Sequence, residues 1–166
     1  MPRIGTSFDP NAVTWRHVVD PSCKEFKVDF EYSLLGYDLA AGRLDMLLRY
    51  GKGMGHCRRH RHVALTATLV LDGEQHVTDV HPDGKRTTVS RKKGDYALAP
   101  ADALPHLEHG GETGGTVLLS MSAPDGILFE YLDDDYRGIH RLTIQEFADA
   151  WTQGVPFGTP LTTQAA

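Results

Sequence analysis

With 166 residues, 40% of them apolar, the chain is long enough to bury one sizeable core and too short to divide comfortably into two, so residues 1–166 are read as a single domain. A formal net charge of −5 leaves no strong field for phosphate backbones, and the densest basic run, Arg58, Arg59 and Arg61, is short, so no nucleic-acid partner is expected. No stretch approaches the roughly 18 apolar residues of a membrane span and residues 1–5 show no apolar leader pattern, so no membrane association and a cytoplasmic location are expected.

Seventeen glycines and nine prolines lie scattered between short apolar runs, the rhythm of many turns between strands. Strands are expected over 26–35 and 43–50, separated by the turn former Ala41-Gly42. Gly51-Lys52-Gly53-Met54-Gly55 is too glycine-rich for a helix or a paired strand, and it delivers the chain into His56-Cys57-Arg58-Arg59-His60-Arg61-His62. Residues 63–71 are rich in β-branched and apolar types, Asp72-Gly73 suits a tight hairpin, and 74–80 reads as the returning strand. Five further short strands are expected over 87–91, 95–99, 104–109, 116–122 and 126–132, divided by Lys93-Gly94, Pro100, a loop over 110–115 and Pro124-Asp125-Gly126. That spacing belongs to a barrel or sandwich, with its core over about 26–132. Thr143-Ile144-Gln145-Glu146 has the capping-box form and leads into Phe147, Ala148 and Trp151 on one face, which predicts a helix over 143–153 packed on the barrel's outside. The residues after Pro156 carry little pattern and read as loosely ordered or as an arm toward a second subunit.

In a strand, residues two apart face the same side, so His60 and His62 put both imidazoles on one face with Arg61 turned away. The even positions Ala64, Thr66, Thr68 and Val70 continue that face with small side chains, which leaves room beside the rings. Cys23 and Cys57 lie far apart without Cys-x-x-Cys spacing, so neither a disulfide framework nor a cysteine zinc site is indicated, and the odd position of Cys57 relative to the two histidines argues against ligation.

The stretch 55–73 resembles the first cupin motif, in which a glycine, His-x-His, a glutamate and a second glycine recur at set spacings; here His60, His62, Thr66 and Gly73 fall at those places. Gly94 through Pro100, followed by Pro105-His106, resembles the second motif, with Asp102 where a glycine is usual, one extra residue before the histidine, and Gly110 in place of an asparagine. The resemblance implies an all-β cupin double-stranded β-helix, a jelly-roll-like barrel with a short C-terminal helix, and a metal held by His60, His62 and His106. Thr66 stands where the motif has its glutamate, and a hydroxyl is a poor replacement for a carboxylate ligand. Three neutral histidines leave a divalent ion its full double charge and, in an octahedral ion, three open positions, which favours an anionic bidentate substrate.

Such a site is similar to that of the three-histidine cupin dioxygenases, of which acetylacetone dioxygenase and dihydroxyacetophenone dioxygenase are examples. That likeness implies iron(II), dioxygen and a small enolisable ketone or diketone that chelates the iron as an enolate before its carbon–carbon bond is broken. Those enzymes' second shell of Glu, Tyr and Arg is not matched, since Ala67, Thr68 and Thr78 stand near those places. The second reading is a cupin whose histidines hold zinc for structure, sensing or hydrolysis, because zinc accepts the same ligands and generally outcompetes iron(II) for nitrogen donors. Glu108 is the candidate catalytic residue: two positions beyond His106 on the same face, it can orient a ligand, serve as base or become a fourth ligand, the alternative being a solvated carboxylate at a strand end. His76 and Thr78 face the cavity if the Asp72-Gly73 turn sets their parity; His56 and His109 are read as structural or exposed, and Phe129 and Tyr131 as an apolar pocket wall or plain core. A homodimer is expected from the family's habit and from the strand edge that 26–35 leaves open.

Overall fold

The longest strand of the fold, β8 (His106–Ser122), is the spine on which the others are hung. In the computed structural model, which describes residues 8–157, the preceding strands are β1 (Arg16–Asp20), β2 (Val28–Asp38), β3 (Arg43–Tyr50), β4 (His60–His62), β5 (Leu65–Val80), β6 (Arg86–Lys92) and β7 (Tyr96–Ala99); β9 (Ile127–Leu132), β10 (Gly138–Thr143) and the helix α1 (Ile144–Gln153) follow it. The order β1-β2-β3-β8-β4-β9-β10 forms one curled sheet, and β5 pairs with β8, β6 and β7. The chain is thus all-β with one C-terminal helix, as the motifs imply. No helix among the described residues is long and apolar enough to cross a membrane.

Alternation explains the core. Leu44, Met46, Leu48 and Tyr50 of β3 point inward and meet Val117, Leu119 and Met121 of β8, with Val28, Phe30 and Tyr32 of β2 beside them. The capping box is present as read, the Thr143 hydroxyl accepting from Glu146 N–H while the Glu146 carboxylate accepts from Thr143 N–H. The helix does not lie outside, however. It touches β2 and β10, near opposite ends of the sheet path, and its fully buried Phe147 packs within 5.4 Å of the Tyr32 ring, so the apolar face closes the curl and joins the single core. Phe157, after Pro156, packs into the same cluster; the remaining arm, residues 158–166, and the opening residues 1–5 lie outside the described residues.

Two expected turns are absent. Residues 63–71 and 74–80 do not form a hairpin: from Leu65 onward they are one strand, because β5 pairs with β8 along its whole length. The register slips on both sides of Asp72-Gly73, between Val70 and Asp72 and again between Gly73 and Gln75, a bulged stretch in which Gly73 takes φ 62°. The loop expected over 110–115 falls inside β8, although its residues 111–114 have no register partner on β5 or β3. Long paired strands replaced turns because the glycines of one face those of the other: a Cβ on Gly73 would meet the Gly114 carbonyl oxygen at 2.6 Å, so the two backbones approach where no side chain intervenes. The bulge also inverts parity. Thr66, Thr68 and Val70 point inward before it, Gln75 and Val77 after it.

Two strands escaped notice: β1, whose only buried residue is Val18, and β10, with only Leu142 buried. The sheet therefore extends beyond the expected 26–132 core. β1 pairs with β2 from Val28 to Tyr32 and covers the edge that motivated the homodimer. Replacing Gly73 with alanine is expected to lower stability by about 2 kcal/mol in urea unfolding, from left-handed strain and the clash with Gly114. An unchanged midpoint would show that the bulge relaxes freely.

Candidate metal centre

His60 lies opposite His106 across β4 and β8, and β4 continues along β9 with His62 opposite Phe129. The His-x-His alternation holds: both imidazoles turn inward, while Arg61 turns away to pair with Glu130 and Asp102. Arg58 and Arg59 are ion-paired as well, with Asp20 and with Glu25 and Asp134, so the basic run is neutralised within the fold.

The outer nitrogen of each ring is engaged. His60 Nδ1 bonds the Arg58 carbonyl at 2.7 Å and His106 Nδ1 the Leu104 carbonyl at 3.2 Å. A carbonyl only accepts, so both Nδ1 atoms carry the proton. His62 Nδ1 lies 2.8 Å from Thr66 Oγ1, whose own proton goes to the Ala64 carbonyl at 3.0 Å, so here too the ring donates. In a neutral imidazole each Nε2 is then a bare lone pair. His60 Nε2 and His106 Nε2 stand 3.2 Å apart, and the buried Nε2 of His62 has no hydrogen-bond partner. Lone pairs gathered this way repel one another unless a cation lies among them, so the donor set fits a metal ion.

Glu108 is the fourth member: its carboxylate and the three imidazoles place one ligand atom each within 4.8 Å of one another. It is not a solvated strand-end carboxylate, being only 3% exposed. Thr66 does not turn toward the convergence point. It occupies the motif's glutamate position but serves the outer face of His62, while the site's carboxylate comes from β8. Cys57 stays outside the group, and burial, with Glu108 nearby, raises its thiol well above the usual range.

Phe129 stands edge-on to both β4 imidazoles, at 5.5 Å from His60 and 4.9 Å from His62, and with Tyr131 walls an apolar cavity that also touches Phe30, Leu119 and Glu108. On the other side a roomier cavity is bounded by His62, His106, Glu108, Gln75, Arg91 and the small residues Ala99 and Ala103. Gln75 Nε2 reaches Tyr50 Oη at 3.0 Å and Glu108 Oε2 at 3.4 Å, and Arg91 donates to Gln75 Oε1 at 2.9 Å. These residues were missed because they enter from β3, from β6 and from β5 after the bulge; recognising Gly73 as a bulge would have pointed to Gln75. By the same inversion His76 and Thr78 turn away, Thr78 to Thr88 and His76 onto a stack in which His109, His56 and Phe26 follow. Of Ala67, Thr68 and Thr78, only the buried Thr68 lines the roomier cavity.

No family model and no curated protein matches the sequence. Solved structures do. A candidate acetylacetone dioxygenase from Methylibium petroleiphilum superposes with a TM-score of 0.61 at 16% identity over 91% of this chain and 97% of that one. An acetylacetone dioxygenase from Acinetobacter johnsonii gives 0.62 at 13% identity over 93% and 94%. An RmlC-like cupin protein from Ralstonia eutropha gives 0.61 at 16% identity over 91% and 90%. At these identities the likeness is one of fold, and the fold is the cupin fold.

Replacing Thr66 with valine keeps the volume and removes the acceptor that orients His62. Zinc affinity, read by competition with a chromogenic chelator, is expected to fall roughly 10–100-fold with the circular dichroism unchanged; undiminished affinity would show that Phe129 alone orients the ring.

Burial first, then the neighbouring histidines, pushes His62 well below its ordinary pKa, and burial followed by His60 pushes His106 down to about 4. His56 is lowered to about 4 by burial and His109. The unfolded chain therefore binds these protons first: stability is fully present above about pH 6.5 and is lost as pH falls toward the folded values. Melts of chelator-treated protein between pH 6.5 and 5, above the carboxylate range, are expected to lose roughly 2 kcal/mol from His106 alone. A melting temperature flat across that window would contradict the desolvation of these rings.

Proposed function

We propose that this chain is a metal-dependent dioxygenase that cleaves a carbon–carbon bond of a small β-diketone or hydroxyketone, with iron(II) held by His60, His62 and His106. The observation that carries the reading is the three outward-bonded imidazoles whose free Nε2 atoms converge beside a cavity bounded by small residues such as Ala99 and Ala103, with space for a small ligand at the donor atoms. The fold likeness to two structures named for acetylacetone dioxygenase supports it.

Iron(II), when bound, supplies Lewis acidity for the ketone oxygens and a partner for dioxygen. The chain's own residues do the rest. Glu108, buried beside the imidazoles, takes the proton from the carbon between the two carbonyls and so forms the enolate. Gln75, donating to Glu108 and held from behind by Arg91, fixes the orientation of that carboxylate. Phe129 and Tyr131 pack an apolar wall against His60 and Glu108 and exclude water from that side of the donors.

A zinc-holding cupin is the second reading, and a specific feature favours it: three nitrogens and one carboxylate oxygen complete a tetrahedral set, so Glu108 as a ligand would close a zinc site. Oxygen-electrode assays on iron-loaded protein with a panel of β-diketones and hydroxyketones are expected to show substrate-dependent uptake. Glu108→Gln is expected to keep its iron and lose roughly 10²–10⁴-fold in turnover, as for a general base. Loss of metal in that variant, with no oxygen uptake by the parent, would support the zinc reading instead.

A further inference from the structure

Arg91 is the cation of the roomier cavity. It lies on β6 opposite Gln75 of β5, and the cavity it lines includes His62, His106 and Glu108. A guanidinium has five N–H donors, and this one makes a single side-chain hydrogen bond, to Gln75 Oε1 at 2.9 Å. Among the described residues no carboxylate lies within ion-pair distance of it, whereas Arg58, Arg59 and Arg61 of the histidine segment each have one. Asp79 lines the same cavity four residues further along β5, opposite Thr87; it feels the Arg91 charge, but among the described residues the two form no ion pair, and burial raises the Asp79 carboxyl above its ordinary range. An arginine held by one neutral amide beside a cluster of metal-type donors keeps a planar fork of donors for an incoming anion.

We infer that Arg91 is the specificity residue of this site and that the substrate carries a carboxylate: the acid group sits on the Arg91 guanidinium while the keto oxygens face the three histidines. The inference rests on the reading of this cavity as the substrate site and narrows the class from neutral diketones and hydroxyketones to their carboxylated counterparts. Gln75 is the positioning residue that ties this recognition to the site, since the amide that accepts from Arg91 also donates toward Glu108 at 3.4 Å. Nonpolar residues complete the wall, Val77, Val89 and Leu98 leaving no second cation there to compete for the acid.

Two small molecules isolate the effect. 2,4-Pentanedione and 2,4-dioxopentanoate differ by one carboxylate in place of a methyl group. Calorimetric titration of both into zinc-loaded protein, which is redox-inert, is expected to show the acid binding at least roughly tenfold more tightly, the scale of one charge-assisted pair. In Arg91→Gln the ratio of acid to diketone affinity should fall to near one, whatever the variant does to diketone affinity itself, and Arg91→Lys should restore part of the preference. A parent without preference for the acid overturns the inference. So does a preference that survives in Arg91→Gln, because the carboxylate would then be held by the metal. Oxygen uptake by iron-loaded protein separates this from the dioxygenase reading. Arg91-dependent binding of the acid without oxygen consumption sustains the inference and defeats that reading, while consumption of the diketone with no preference for the acid does the reverse.

Discussion

Two imidazole nitrogens 3.2 Å apart, neither carrying a proton, do not sit together in a buried place of their own accord. Their outer nitrogens are committed to the Arg58 and Leu104 carbonyls, and the same device at Thr66 turns the third ring. Much of the surrounding fold serves that arrangement. The His60–His106 register between β4 and β8 sets the spacing, Phe129 stands edge-on to both β4 rings, and desolvation holds His62 and His106 below their ordinary pKa so that their lone pairs stay available. A site of this kind is a local cost carried by the apolar core that β2, β3, β8 and α1 build behind it.

The carboxylate shows how a fold can keep a chemical inventory while moving its source. At the motif position a glutamate would stand at the start of β5, four residues after the last histidine of β4; here that position holds Thr66, which supports the ring from outside. Glu108 enters instead from the strand that carries His106, two residues on, where strand periodicity puts it on the same face. This alters the expectation of three neutral ligands with an undiminished metal charge. A carboxylate stands within reach, and whether it ligates or takes protons separates a closed zinc site from an open oxygenase site.

Behind the donors lies a polar relay from Arg91 through Gln75 to Tyr50 and Glu108, with burial raising the Tyr50 hydroxyl well above its ordinary range and Glu108 adding to that rise. The relay exists because the two register shifts flanking Asp72-Gly73 invert which residues of β5 face inward. Without that inversion His76 would face inward and Gln75 outward, and the amide that links the arginine to the carboxylate would be missing.

By itself the sequence determined what short-range periodicity controls. His60 and His62 share a face because strand side chains alternate, Glu108 joins His106 for the same reason, and the capping box starts the helix at Thr143 because its bonds are local. Barrel-like strand spacing and the resemblance to the cupin motifs place His106 with the β4 pair. Tertiary structure decided what depends on facing backbones. Asp72-Gly73 and the glycines over 110–115 read as turns in isolation; opposite one another they permit close approach of β5 and β8 and remain in strand. β1 and β10, with one buried residue each, carry too little alternation to be read, and only pairing makes them strands. Burial of Glu108, the outward turn of His76 and the service of Thr66 to His62 likewise follow from register, which no single strand's sequence contains.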